Sequence, residues 1–143
     1  MKRFMPWTFL WLVLAGAGWA QDENRPQRIV LSWERDPATS QSVSWRTIRE
    51  LDNAAGQVVR VKGWARSFDD SAKTVRARAA RITTQAGAAY THYNVLFDGL
   101  EPGVRYAYRV GCEEHWSEWN LFRTAGADSE AFSFFYLGDV QND

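Results

Sequence analysis

The sequence predicts an all-β sandwich of about seven strands, followed by the first strand of a second domain of the α/β class. No helical periodicity of useful length occurs between residues 22 and 130. Short segments that alternate apolar and polar residues recur there, separated by Gly, Pro, Asp and Asn. The alternation stops before a small, polar stretch at residues 125–130, and a nearly continuous apolar run begins at residue 131. These changes place a linker at 125–130, between an antiparallel β domain at 22–124 and the start of another domain at 131–143.

Seven segments of the first domain carry the strand pattern. They are short, they contain many β-branched and aromatic residues, and turn residues separate each from the next. The segments are 29–33, 42–46, 59–61, 74–84, 90–97, 104–110 and 119–124. This number of strands is typical of an immunoglobulin-like sandwich.

The clearest strand is 104–110, which predicts one buried and one wet face. The buried face contains Val104, Tyr106, Tyr108 and Val110, and the wet face contains Arg105, Ala107 and Arg109. The preceding Leu100-Glu101-Pro102-Gly103 has the composition of a tight turn. This turn followed by a tyrosine predicts a tyrosine corner, in which the phenol hydroxyl of Tyr106 bonds to the backbone a few residues upstream.

The first 20 residues have the pattern of a secretory signal peptide. Lys2 and Arg3 precede an apolar core at 7–15, and Gly18-Trp19-Ala20 provides a small-x-small cleavage pattern before Gln21. The apolar stretch is shorter than the roughly 20 residues that span a bilayer. An uncleaved anchor is the alternative, and we expect a secreted or periplasmic protein that leaves the membrane after cleavage.

The apolar run at 131–137 predicts a strand buried on both faces of an α/β sheet. Gly138 and Asp139 follow it directly, and ligand residues of such sheets lie just beyond the carboxyl ends of the strands. A carboxylate in that place is a suitable ligand for a hard metal ion. The Gly-Asp pair also forms ordinary turns, so a plain turn is the alternative.

Composition excludes some functions and leaves the sandwich few catalytic candidates. Cleavage of the signal peptide removes Lys2 and Arg3, which leaves 15 basic residues against 17 acidic ones. The sequence has no cluster of basic residues of the kind that binds nucleic acid. Cys112 is the only cysteine, which excludes an intrachain disulfide and favours a buried structural thiol over a reactive one. The two histidines, His92 and His115, both fall within the sandwich.

Several segments together resemble the N-terminal part of purple acid phosphatases, in which a fibronectin type III-like domain precedes a calcineurin-like metallophosphoesterase domain. The strongest match is Gly99 to Gly111, which resembles the family segment gLxPgxxYxYrvG. Phe122-Arg123-Thr124 resembles the FxT close of that domain, and Phe134 to Asp139 resembles the opening of the catalytic domain. Further similar segments are Arg28 to Trp33 and Gln41 to Thr47.

The resemblance implies a dinuclear metal centre, of Fe with Fe, Zn or Mn, that hydrolyses phosphate monoesters in the intact protein. Asp139 matches the family's first metal-binding aspartate. Gln141 stands where the family usually has Gly or His, and it either coordinates through its amide oxygen or only lines the site. Asp143 is expected to have no metal role. The other metal-binding motifs would lie beyond residue 143, so the fragment itself is expected to hold no metal and to be inactive.

His115-Trp116-Ser117-Glu118-Trp119-Asn120 supports a different hypothesis. The segment resembles the WSxWS box of cytokine-receptor fibronectin domains, with Asn120 in place of the last serine. Trp116 and Trp119 are suited to stacking on Arg105 or Arg109, which favours structural packing, and a ligand-binding aromatic patch is the alternative. A stand-alone secreted binding module is therefore the second hypothesis for function.

Overall fold

A computed structural model describes residues 22–62 and 71–127, together with the isolated residues 133 and 135. In these ranges the chain forms eight strands and no helix, so no described helix is long and apolar enough to cross a membrane. The strands are β1 (Gln27–Ser32), β2 (Ser40–Thr47), β3 (Ala55–Arg60), β4 (Lys73–Arg76), β5 (Arg78–Thr83), β6 (Ala89–Asp98), β7 (Arg105–Gly111) and β8 (Asn120–Arg123).

The strands form two antiparallel sheets of four strands each. One sheet has the order β1-β2-β6-β5, and the other has the order β4-β3-β7-β8. The seven strands predicted for the sandwich are all present, and the two sheets pack face to face as an all-β sandwich around a hydrophobic core.

The predicted strand 74–84 is divided between the two sheets, which gives eight strands where the sequence indicated seven. β4 pairs with β3 in one sheet, and β5 pairs with β6 in the other. Between them, the amide of Ala77 donates to the carbonyl of Ala54 at 2.8 Å. The alternation of small and basic residues continues across Ala77, because a strand that passes from one sheet to the other keeps its extended backbone. The sequence pattern therefore contains no mark of the crossing.

The core lies between the sheets and is formed by the central strands. Trp45 of β2 stacks on Tyr93 of β6, with ring centroids 5.3 Å apart. Gly56 of β3 lies so close to the facing sheet that an added Cβ would come within 2.8 Å of Phe97 and Val95. The fully buried core residues include Val43, Trp45, Tyr93, Val95, Phe97 and Val110.

The predicted faces of β7 need correction at two residues, of which the first is Val104: it was expected on the buried face but precedes the strand and is only half-buried against the core. Tyr106, Tyr108 and Val110 are buried as expected, but Ala107, predicted on the wet face, is 0% exposed. Ala107 lies between Val59 of β3 and Leu121 of β8 in the ladder, so a small side chain is covered by its larger neighbours. Arg109 on the same face is only half-buried, whereas Arg105 is exposed.

Edge strand β1 leaves apolar side chains in contact with water. Val30 and Leu31 are exposed, and Trp33, just beyond the strand, is 72% exposed. Cys112 follows β7 and is half-buried against the core, so it is less enclosed than the buried thiol expected from the sequence.

Several predictions concern residues that lie outside the described ranges. These are the signal peptide at 1–20, the end of the linker, most of the strand at 131–137, and the residues Asp139, Gln141 and Asp143. Of the strand, only Ser133 and Phe135 are described; neither is in a strand, and Phe135 is 98% exposed. The strand and the metal site beyond it stay predictions.

Candidate functional site

The described residues contain no group of three or more His, Cys, Asp or Glu side chains placed to hold a metal ion. His92 lies on β6 with its side chain exposed. His115 lies in the loop between β7 and β8, where its Nδ1 is 3.3 Å from a carboxylate oxygen of Asp22 and its Nε2 is 3.3 Å from the amide nitrogen of Asn24. The imidazole thus joins the start of the sandwich to this loop.

The predicted tyrosine corner is confirmed. The backbone amide of Glu101 donates to the hydroxyl of Tyr106 at 2.9 Å, and Tyr106 is only 6% exposed. Its ring stacks on Phe122 of β8 at a centroid distance of 5.6 Å. The hydroxyl of Thr124 donates to the carbonyl of Glu101 at 2.7 Å and accepts from the amide of Val104 at 3.0 Å. These bonds fix the turn at 100–103 against the end of β8.

The chain leaves the sandwich beside this corner. The amide of Ala125 donates to the carbonyl of Pro37 at 3.0 Å, and its carbonyl accepts from the amide of Gly103 at 2.8 Å. Gly103 has a φ of 69°, a left-handed conformation that glycine adopts at little cost. The direction in which residue 126 departs is therefore set by backbone hydrogen bonds to two loops.

At the opposite end of the sandwich, a guanidinium group lies between two tryptophans. The Cζ atom of Arg109 is 4.8 Å from the ring centroid of Trp116 and 4.7 Å from that of Trp119. Its Nε donates to the Oε1 of Gln57 on β3 at 2.8 Å. The sequence predicted that the tryptophans stack on Arg105 or Arg109. The structure shows the stack on Arg109 and confirms that prediction. Both rings are half-buried, so each keeps part of its surface in contact with water.

Ser117 fixes the same loop to β7. Its amide donates to the carbonyl of Val110 at 2.9 Å, and its hydroxyl accepts from the amide of Val110 at 3.0 Å. The loop can approach this closely because residue 111 is a glycine, where a Cβ would lie 2.1 Å from the carbonyl oxygen of His115. The segment 112–119, here called the tryptophan loop, is thus held by backbone bonds as well as by stacking.

Three clefts surround the tryptophan loop and the neighbouring loop at 48–54. Their volumes are about 380, 380 and 430 Å³, and Asn53 lines each of them. Asn53 has a φ of 55°, a left-handed conformation that asparagine tolerates better than most residues. Sequence reasoning did not find these clefts, because their lining residues come from segments that are far apart in the sequence. The one local signal was the Asp-Asn pair at 52–53, which marks a turn.

Polar groups on the outer face of the β1-β2-β6-β5 sheet form one further cluster. The Ser42 hydroxyl and the Asn94 amide donate to the same carboxylate oxygen of Glu34, at 2.6 and 2.8 Å. These bonds, the Ser42 bond first, lower the pKa of Glu34 below its usual range. In the core, burial raises the pKa of the Tyr108 phenol.

The two antiparallel sheets and the tyrosine corner define a fibronectin type III-like sandwich domain. The family model "Purple acid Phosphatase, N-terminal domain" matches residues 26–124, well over half of the chain. The chain belongs to this family of purple acid phosphatase N-terminal domains.

Solved structures of similar fold include a purple acid phosphatase. The chain superposes on purple acid phosphatase PPD1 from yellow lupin (Lupinus luteus) seeds with a TM-score of 0.51 and 13% identity, over 76% of this chain and 21% of the lupin chain. It thus spans about a fifth of the length of that protein. Another similar solved structure is the fn3 domain of human contactin 1, with a TM-score of 0.47 and 16% identity over 76% of this chain and 82% of that one. No curated protein sequence matches the chain.

Proposed function

We propose that this chain is the N-terminal part of an exported, metal-dependent phosphatase of the purple acid phosphatase type. The observation that carries the proposal is the family match over residues 26–124. The likeness to the lupin enzyme is consistent with it in fold, and this chain corresponds to about a fifth of that enzyme. In this proposal the sandwich is a scaffold, and catalysis belongs to a metallophosphoesterase domain that follows it.

The predicted ligand Asp139 supplies the start of the metal site in this proposal. Thirteen residues lie between Asp139 and Ala125, whose backbone is fixed to the turn at Gly103. Its carboxylate would hold a dinuclear centre of Fe with Fe, Zn or Mn, together with ligands from the following domain. Bound there, the two metals would supply a hydroxide nucleophile and neutralise phosphate charge in the hydrolysis of a phosphate monoester.

The metal role is tested on the product of the complete reading frame that contains this chain. We expect Asp139→Asn to lower the metal content measured by elemental analysis, because a neutral amide is a weaker ligand for a hard cation than a carboxylate. Asp143→Asn is the matched control and should leave the metal content unchanged. Equal metal content in wild type and Asp139→Asn would show that Asp139 is not a metal ligand. A downstream reading frame without Gly-Asp-x-x-Tyr or Gly-Asn-His motifs would refute the phosphatase assignment.

Export is proposed from the pattern of the first 20 residues. Expression in a bacterial host with a fractionated periplasm tests it directly, since N-terminal sequencing of the processed protein should begin at Gln21. Retention of Met1 in a membrane fraction would instead support the uncleaved anchor.

A secreted binding module is the second candidate function. The observation that favours it is the stacked, half-exposed tryptophan pair beside three clefts at the end of the sandwich away from Ala125. The two candidates predict different lengths for the open reading frame. A module would end close to residue 143, whereas a phosphatase would continue through a catalytic domain.

A further inference from the structure

One of the three clefts combines an aromatic wall with a fixed set of polar groups. It has a volume of about 380 Å³ and is lined by Asn53, Gln57, Thr74, Arg76, Glu113 and Trp116, with Ala55. Small-molecule sites in proteins have volumes of roughly 300–1,000 Å³ and place a few polar groups around apolar surface. The cleft has the size and composition of a site for one small ring.

The aromatic wall is supported by a chain of contacts. Trp116 stacks on Arg109, and Arg109 is in turn bonded to Gln57, which lines the cleft. Gln57 also donates through its amide nitrogen to the hydroxyl of Thr74 at 3.1 Å. The indole and the two polar side chains are therefore held by contacts within the protein, which reduces the entropy lost when a ligand binds.

Two opposite charges line the cleft from different elements. Arg76 ends β4, and Glu113 belongs to the tryptophan loop; both are exposed, and neither forms an ion pair with another described residue. Together they offer several N–H donors and a carboxylate acceptor with no net charge. The two charges cancel, so the cleft has no net charge that would attract an anion or a cation, and its donors and acceptors suit a neutral ligand rich in hydroxyl groups.

We propose that this cleft binds a neutral sugar. The apolar face of a pyranose ring packs against the indole of Trp116, and its hydroxyl groups hydrogen-bond to Arg76 and Glu113 across the cleft. Aromatic side chains provide the flat apolar surface that such a ring requires, and paired donors and acceptors satisfy vicinal hydroxyls. Asn53, held in its left-handed conformation at the meeting point of the three clefts, offers an amide to a second sugar unit.

The proposal does not depend on phosphatase activity. The cleft lies at the loop end that contains the tryptophan loop, whereas Ala125 is bonded to Pro37 and Gly103 at the other end of the strands. A sugar site here would attach the protein to a glycan while leaving whatever follows residue 125 unobstructed.

Nuclear magnetic resonance of the full chain tests the proposal. Glucose, galactose, mannose, N-acetylglucosamine and their β-linked disaccharides are added separately, and the indole N–H of Trp116 and the side-chain amide of Asn53 are followed. We expect a saturable shift of both signals with at least one neutral sugar and a Kd on the order of 1 mM. No saturable shift of Trp116 at about 50 mM of every sugar, roughly fifty times that Kd, would overturn the proposal. Binding of glucuronic acid or glucose phosphate alone would also overturn it.

Charge-neutralising variants separate the cleft from the rest of the surface. Arg76→Gln and Glu113→Gln should each weaken sugar binding by about five- to tenfold, because each removes a charged hydrogen-bonding group. The matched controls Arg81→Gln on β5 and Glu118→Gln on the tryptophan loop change the same charges at exposed positions that do not line the cleft. They should bind as wild type does, and equal affinity in all four variants would refute the assignment of the cleft.

Discussion

The hydroxyl of Tyr106 accepts a hydrogen bond from the backbone amide of Glu101, five residues upstream and 2.9 Å away. This bond connects a buried side chain of β7 to the turn at 100–103, and that turn also receives the end of β8 through Thr124. The Tyr106 bond therefore fixes the part of the sandwich from which the chain departs.

Removal of this hydroxyl should destabilise the domain. We expect Tyr106→Phe to lower the free energy of unfolding by about 1–2 kcal/mol, because the Glu101 amide loses its partner beside a buried ring. Urea denaturation followed by tryptophan fluorescence measures the change. Tyr90→Phe is the control, since the Tyr90 hydroxyl has no hydrogen-bond partner in the described ranges and its ring still lies under Arg46. Equal losses in the two variants would show that the corner bond adds nothing.

The Arg109 stack should be a second source of stability. We expect Arg109→Gln to lower the free energy of unfolding by about 1–3 kcal/mol and to weaken the near-ultraviolet circular dichroism of tryptophan, because both cation–π contacts are lost. Arg105→Gln removes the same charge from the same face of β7 at an exposed position. If Arg105→Gln produces the same spectral change as Arg109→Gln, the signal does not arise from the stack.

Gly111 should tolerate no side chain. A Cβ at this position would collide with the backbone of His115, and its φ of 143° is unfavourable for other residues. Gly111→Ala should cost at least about 2 kcal/mol and displace the tryptophan loop, which heteronuclear spectra of the Trp116 indole would reveal. Gly87 also has a positive φ, of 83°, but no atom lies within 4 Å of the Cβ that an alanine would add. Gly87→Ala therefore measures the cost of the backbone conformation alone. A Gly111→Ala variant no less stable than Gly87→Ala would contradict the close approach.

The Glu34 cluster should make a small contribution to stability that depends on pH. The pKa of Glu34 is lowered in the folded state. The contribution is therefore fully present above the ordinary glutamate pKa of about 4.5, and it is lost as the pH falls through the lowered value. Carbon-13 titration should place the Glu34 carboxyl below that ordinary value in wild type and closer to it in Ser42→Ala. Identical titration curves in the two proteins would exclude Ser42 as the principal cause.

The sequence predicted the parts of the fold that depend on neighbouring residues. The tyrosine corner needs only a turn and a tyrosine a few residues later, and the tryptophan stack needs two indoles and an arginine on an adjacent strand. The choice between Arg105 and Arg109 required the register of β7 and β8, which pairs Arg105 with Arg123 and places Asn120, next to Trp119, opposite Tyr108. Both arginines satisfy the local pattern, so only the long-range pairing separates them.

Features set by distant segments were not predictable in the same way. Ala107 is buried because Val59 and Leu121 flank it, and neither is near it in sequence. The crossing at Ala77 leaves no break in alternation. The cleft beside Trp116 joins loop 48–54, β3, β4 and the tryptophan loop, so no single motif marks it. The metal ligands Asp139 and Gln141, predicted by resemblance, lie outside the described residues.

The most direct test of the central proposal is the release of phosphate from p-nitrophenyl phosphate by the product of the complete reading frame that contains this chain. Hydrolysis should stop after removal of metal with a chelator, return when Fe alone or Fe with Zn or Mn is restored, and be lost in Asp139→Asn. Hydrolysis that is unaffected by chelation, or no hydrolysis with any of these metals, would contradict the proposed phosphatase function.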